Sequence, residues 1–346
     1  MSWIKGFLLS CLVAVAALVV AEILLSFFWS NPYENTAPSK VVELRMQSPN
    51  VSRKLNLSAL GKDIEVVFRV DNDRFIFPSN QHESPSKTIM FVGGSTTECS
   101  AVSESLRFPH HVSTLFKEDG QDINTINLGR SGNTLHDTIN IFFNYAHLYR
   151  PDYLVIMHAT NDGGVLEFDS DYSSRMANEV SAKDVVKWFL QAASRLQIGG
   201  LLREALSSIR NRAAQVVPQG MVADPTDSVA IDYQAFRVRL EVMVSMARSF
   251  DVEPVLMTQP LSSERNALTP SWSGYNRQQA LNEVIRDVAK AQSVFLIDLS
   301  AHMLSQAGFL NDPTSYLYDG MHVTDLGSIE YARTIHKSFQ EILLSK

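Results

Sequence analysis

A serine, a histidine and an aspartate of this chain are of the types that, brought together, attack a carbonyl carbon. The serine lies in Val92-Gly93-Gly94-Ser95-Thr96-Thr97-Glu98, directly after the apolar run Thr88-Ile89-Met90-Phe91. An apolar, β-branched and aromatic run that ends in two glycines reads as a strand entering a tight loop. Taken alone, the loop could equally be the capped start of a helix. A hydroxyl is a poor nucleophile until a base takes its proton, which neutral imidazole does near pH 7. Tyr318-Asp319-Gly320-Met321-His322 supplies an imidazole and a carboxylate three residues apart. On a tight turn Asp319 can fix one ring nitrogen of His322 while the other faces a hydroxyl. The oxyanion made by such an attack needs N–H donors. The candidates are the Ser95 amide, the Gly129 amide in Asn127-Leu128-Gly129-Arg130-Ser131-Gly132-Asn133, and the side-chain amide of Asn161 in His158-Ala159-Thr160-Asn161-Asp162.

These groups can meet only if secondary structure carries them to one place. Strands are expected at Thr88–Val92, Ile123–Leu128, Asp152–Met157, Glu253–Met257 and Val294–Asp298. Helices are expected at Pro109–Phe116, Thr134–Tyr149, Ile231–Phe250, Tyr275–Gln292 and Asp325–Leu344. Such alternation predicts a parallel sheet covered on both faces. Open α/β folds build their sites at the carboxyl ends of the strands, where the serine, glycine and asparagine stretches fall. Residues 163–227 interrupt the alternation, with a helical piece around Asp184–Arg212, and are expected to form a lid or substrate platform. Earlier in the chain, Ile64–Val70 and Arg74–Phe77 flank Asp71-Asn72-Asp73 and predict a hairpin.

The N-terminal stretch has a different character. Phe7–Trp29 is apolar apart from Ser10, Ser26 and Glu22, and a membrane span needs about 20 such residues. Lys5 precedes it and no Lys or Arg follows until Lys40, which predicts an N-terminus in the cytoplasm and the remainder outside. A signal peptide cleaved near Val19-Val20-Ala21 is the alternative, and the apolar run continuing through Trp29 favours an uncleaved anchor. The expected organisation is therefore an anchor over 1–30 contacting the lipid bilayer, a stalk and hairpin over 31–86, and a main domain over 87–346. The 346 residues carry a net charge of −7 with no Lys/Arg run, which argues against a nucleic-acid partner. Cys11 and Cys99 are not expected to meet, so neither a disulfide nor a cysteine-based metal site is expected.

The four stretches, in this order and spacing, resemble blocks I, II, III and V of the GDSL/SGNH hydrolase superfamily over about 235 residues, from Ile89 to His322. The resemblance implies a three-layer α/β/α sandwich with a five-stranded parallel sheet, flavodoxin-like in kind. It also implies that Ser95 is the nucleophile, His322 its base, Asp319 the partner of that base, and Gly129 and Asn161 oxyanion donors. No metal or organic cofactor is implied. Gly93-Gly94-Ser95-Thr96-Thr97-Glu98 together with Asn161-Asp162 is most similar to membrane-anchored members found with bacterial surface-polysaccharide machinery. Two positions depart from the family pattern. Gly94 stands where aspartate is usual, and Ala159 replaces a glycine, where its methyl could narrow an acyl pocket.

The implied activity is extracytoplasmic hydrolysis of O-acyl, chiefly O-acetyl, esters on carbohydrate. One alternative is acyl transfer to a glycan hydroxyl with the same residues, and another is a catalytically inactive glycan-binding assembly factor. The substrate sugar and the oligomeric state are not legible. Cys99 is expected to be a small buried thiol. His110, His111, His158 and His302 show no carboxylate at a telling spacing and are expected to be structural. Asp298 is expected to cap a loop, and Glu98, Glu104 and Arg107 to brace the segment after Ser95. Trp188, Phe189 and Trp272 could touch a sugar ring, although core packing is the ordinary role of such residues.

Overall fold

The computed structural model describes residues 2–29, 31, 44–56, 65–79, 82–167, 172, 193–202, 204–205, 233–262 and 274–344. The chain divides into two compact units, one formed by Met1–Glu43 with Met176–Asp227 and the other by Leu44–Arg175 with Ser228–Lys346.

The first unit contains helix α1 (Ser2–Phe28). The membrane span expected over Phe7–Trp29 is not found. Among the described residues no helix is long and apolar enough to cross a membrane. Its apolar character is broken by Glu22, whose carboxylate accepts the backbone N–H groups of Gln197 and, at 3.0 Å, Ile198. Asn31 repeats the pattern a few residues on, donating its side-chain amide to the carbonyls of Ser194, Arg195 and Leu196 at 2.9–3.0 Å. The polar interruption that the sequence left unexplained thus has backbone partners in the 193–200 segment. Most of the helical piece expected around Asp184–Arg212 lies outside the described residues, as do Trp188, Phe189 and Trp272.

The second unit opens with strands β1 (Ser52–Asn56) and β2 (Glu65–Arg69), which pair antiparallel with Ser52 opposite Arg69. A strand here replaces part of the expected stalk. Its reason is local: Leu55 and Val51 pack on buried Phe68, Val70 and Ile76, and the Arg53 guanidinium lies 4.6 Å from the centre of the Phe68 ring. The expected hairpin at Asp71-Asn72-Asp73 is reduced to one antiparallel bridge between Val70 and Ile76, closed by a bond from the Asp71 amide to the Phe75 carbonyl.

The main sheet holds β3 (Lys87–Gly93), β4 (Ile123–Asn127), β5 (Tyr153–Met157), β6 (Glu253–Met257) and β7 (Phe295–Ile297), in the order β4-β3-β5-β6-β7. All neighbours are parallel. Every residue of β4 and β5 is buried, as a sheet covered on both faces requires. Successive side chains point to opposite faces. Met90, Val92, Leu154 and Ile156 therefore enter one core, and Ile89, Phe91, Tyr153 and Val155 enter another. The helices that matter to the site are α2 (Ser95–Glu98), α3 (Phe108–Glu118), α4 (Leu135–Asn144), α5 (Thr160–Leu166), α6 (Gln234–Ser249), α7 (Gly274–Ala291) and, after three short helical segments, α8 (Asp325–Leu344). Residues of α4, α6 and α7 fill the first core, and those of α3 and α8 fill the second. The result is the α/β fold with a five-stranded parallel sheet that the alternation predicted. The expected Thr134–Tyr149 helix stops at Asn144 and is followed by a tighter turn over Ala146–Tyr149.

This strand order puts a reversal at β3. The chain runs from β3 to β4 on one side and then to β5 on the other. The crevice at the carboxyl ends of β3 and β5 is where doubly wound sheets bind ligands.

Candidate active site

Ser95 and Asn161 stand at the mouth of that crevice. Ser95 is the first residue of α2, immediately after Gly94, and Asn161 is the second residue of α5, a few positions beyond the end of β5. Both line one small cavity. The carboxyl edge of the sheet thus delivers the hydroxyl and the side-chain amide to one place with no long connecting loop.

His322 reaches the same point from the segment preceding α8. Its Nε2 lies 2.8 Å from Ser95 Oγ, and its Nδ1 lies 2.6 Å from Asp319 Oδ2. The other Asp319 oxygen accepts the amides of Met321 at 3.0 Å and His322 at 2.8 Å, an Asx turn that fixes the carboxylate against its own loop. Gly320, at φ +85°, supplies the left-handed residue the turn needs. A bridge between Leu317 and Val323 closes the loop, and the Tyr318 ring stacks on His322 at 5.7 Å between centroids.

Burial is the largest single influence on Asp319 and pushes its carboxyl upward. The hydrogen bond and charge of His322, with the two amides, outweigh it and hold the group below the usual carboxylate range. Asp319 is therefore ionised at neutral pH. It takes the proton on Nδ1 as a hydrogen bond, which leaves the Nε2 lone pair facing Ser95.

The three expected oxyanion donors differ in their surroundings. The Ser95 amide, at the start of α2, has no intrahelical acceptor. Asn161 uses one side-chain N–H on the Asn133 carbonyl at 2.8 Å, which fixes the amide and leaves a second N–H. Gly129 differs. Its amide donates to Asn127 Oδ1 at 2.9 Å, so it is turned into the β4 loop. A Cβ at Gly129 would fall 2.4 Å from the Glu98 amide nitrogen, which shows why glycine is needed there. Gly129 lets the β4 loop pack directly on α2. A side chain at Gly94 would likewise fall 2.5 Å from Asn161 Nδ2, so the glycine that departs from the family pattern leaves space for the donor.

The supporting residues behave as braces. Glu98 accepts the Ser131 amide. Buried Arg107 donates to the Cys99 carbonyl at 3.2 Å and the Val67 carbonyl at 2.8 Å, and Glu104 pairs with Arg69. Cys99 is buried, and burial pushes its thiol up to about 12. Asp298 caps the turn after β7 through the Ala301 amide and pairs with Arg286. His158 does have a carboxylate neighbour: Asp162 Oδ2 lies 3.5 Å from its Nδ1, while Thr138 Oγ1 lies 2.7 Å from its Nε2. His302 pairs with Glu330 at 3.2 Å. Among the described residues no group of three or more His, Cys, Asp or Glu could hold a metal ion.

Sequence reasoning missed Gln259, Thr160 and Met321, which line the cavity beside Ser95. For Gln259 a signal was present. It follows β6 by two residues, on the same carboxyl edge as the other stretches.

A serine, a histidine and an aspartate in hydrogen-bonded series, with amide donors at a parallel-sheet edge, define a serine hydrolase of the open α/β class. The GDSL-like lipase/acylhydrolase family model matches residues 91–328, and the chain belongs to that family of serine ester hydrolases. No curated protein matches it. Solved structures similar to it include Axe2, an acetylxylan esterase from Geobacillus stearothermophilus, at 14% identity and TM-score 0.47, covering 74% of this chain and 94% of that one. A lipase/acylhydrolase from Enterococcus faecalis matches at 19% identity and TM-score 0.46, covering 74% and 96%. The acetyl xylan esterase AlAXEase matches at 14% identity and TM-score 0.48, covering 72% and 98%. The assignment rests on the family match and not on these likenesses.

Proposed function

We propose that this chain is an extracytoplasmic esterase that hydrolyses O-acyl, chiefly O-acetyl, esters on carbohydrate, with surface polysaccharide as the natural setting. The observation that carries the chemistry is the unbroken series from Ser95 Oγ through His322 to Asp319, at 2.8 Å and 2.6 Å. Ser95 Oγ bonds to the carbonyl carbon as His322 Nε2 takes its proton. The oxyanion is held by the Ser95 amide and Asn161 Nδ2. The bond to the sugar oxygen then breaks, and that oxygen leaves with the proton from His322. Water adds to the acyl-enzyme and gives a proton to His322. The acid departs as Ser95 Oγ recovers that proton.

The small cavity beside Ser95 supports a short acyl group. The carbohydrate and the location rest on the sequence likeness to polysaccharide-linked, membrane-anchored members.

The test is labelling of purified protein with a fluorophosphonate, together with acetate release from acetylated glycans. Wild type should label and release acetate, and Ser95→Ala should do neither. Wild type that does neither overturns the reading, and acetyl recovered on an added acceptor sugar replaces hydrolysis with transfer. Alkaline carbonate extraction of cell membranes checks the location. Release of the full-length chain into the soluble fraction counts against attachment through α1.

A further inference from the structure

Gln259 is nearly buried, at 4% exposure, and held from three sides. Its amide N–H donates to Asn282 Oδ1 at 3.0 Å, and its carbonyl accepts Asn282 Nδ2 at 3.0 Å and Gln278 Nε2 at 3.1 Å. Buried polar side chains on α7 thus clamp the backbone of this residue. Its side chain crosses between the two elements that carry the site. Oε1 accepts the Thr160 amide at 3.2 Å, and Nε2 donates to Thr96 Oγ1 at 3.3 Å. Thr96 follows Ser95, and Thr160 precedes Asn161. The Thr160 hydroxyl is itself tied to Gln278 Oε1 at 2.8 Å, so the bridge is braced at its far end.

The cavity bounded by this bridge also meets Gly94, Ala159 and Met321, and its volume is about 10 Å³, room for about one water. A polar side chain with both ends bonded cannot swing aside to admit a longer chain without leaving buried donors and acceptors unpaired.

We propose that Gln259 is the floor of the acyl pocket and sets a preference for a two-carbon acyl group. The inference rests on the esterase reading above. Acyl methyl and cavity meet beside Ser95, and further methylenes would run into the Gln259 amide. One methylene that a pocket cannot accept changes kcat/KM by about 10–200-fold.

The experiment compares kcat/KM on p-nitrophenyl acetate, butyrate and hexanoate for wild type, Gln259→Ala and Gln259→Met, with active sites counted by fluorophosphonate titration. Wild type should favour acetate over butyrate by about a hundredfold or more. Gln259→Ala should raise the butyrate-to-acetate ratio at least about tenfold. Gln259→Met, of similar length but without the amide that holds the side chain in place, should raise the ratio too, by less than Gln259→Ala does. A wild-type enzyme that hydrolyses butyrate as readily as acetate overturns the inference while leaving the esterase reading intact. Protein that neither labels nor hydrolyses any ester overturns the esterase reading instead. If Gln259→Ala fails to fold, Gln259→Ser takes its place. An unchanged ratio in folded, labelling Gln259→Ala or Gln259→Ser overturns the inference, and an equal loss on all three esters there would make Gln259 a positioning residue only.

Discussion

At Ser95 the chemistry depends on one imidazole. His322 lies within 3 Å of both the hydroxyl and the Asp319 carboxylate, so His322→Ala removes the base and the proton carrier together. Turnover should fall by several orders of magnitude, with Asp319→Asn costing a similar amount or somewhat less because the wrong imidazole tautomer is then favoured. Steady-state kinetics on an acetyl ester checks both, and near-normal turnover in His322→Ala would remove it from the mechanism. Gly94→Ala tests the donor geometry. Its methyl would meet Asn161 Nδ2 at 2.5 Å, so the amide must move away. The expected loss in kcat is about 10²–10³, that of one oxyanion donor, with thermal stability little changed. An unaltered kcat would show that Asn161 Nδ2 is not the donor. These residue roles were partly legible beforehand. Ser95, Asp319, His322 and Asn161 could be singled out because each sits in a short segment whose composition names its chemistry, and the structure places Ser95 beside His322 and Asn161 on the same cavity. The bond of the Gly129 amide to Asn127 was not legible, because it depends on the rotamer of a side chain two residues back.

At the scale of elements, α2 is held in place by backbone packed on backbone. A methyl at Gly129 would come within 2.6 Å of the Thr97 carbonyl carbon and closer still to the Glu98 amide. Neither can yield as a side-chain tip would. Gly129→Ala should therefore cost about 1–3 kcal/mol and lower activity by shifting α2. Denaturant unfolding monitored beside activity separates it from Gly94→Ala, which should lose activity without that loss of stability. The five strands and the large helices were legible because β3, β5, β6 and β7 carry short apolar runs, β4 carries β-branched residues between polar loops, and each large helix keeps its 3.6-residue stripe. The partnership of β1 with β2 was not. Ser52-Arg53-Lys54-Leu55-Asn56 has too little alternation to announce a strand, and it is held by one leucine and by Arg53 over Phe68. Nor was the setting of Glu22 legible, since its partners at Gln197 and Ile198 lie about 175 residues away.

For the whole molecule, pH tests how deeply α3 is seated. Burial, with the charges of His111 and Arg107, pulls His110 from 6.5 down to about 4. Between those values the unfolded chain binds a proton that the folded one does not. The contribution of His110 to stability is thus full above about pH 6.5 and declines as pH falls toward 4. Urea midpoints across that window should fall with acidity, and less steeply in His110→Gln. An equal slope in the variant would assign the effect elsewhere. Asp319 acts in the opposite region. Its depressed folded value keeps its contribution intact above the ordinary carboxylate range, and that contribution is lost only as pH drops through the lower folded value.

The base reaches Ser95 across 227 positions of sequence, from a segment that follows the last strand of the sheet. During synthesis the nucleophile and its donor therefore emerge long before anything can remove the serine's proton. A chain cut between β7 and His322 carries the five strands, Ser95 and Asn161 with an unprimed hydroxyl. Ester cleavage is withheld until the segment that carries His322 has been made and has docked beside Ser95.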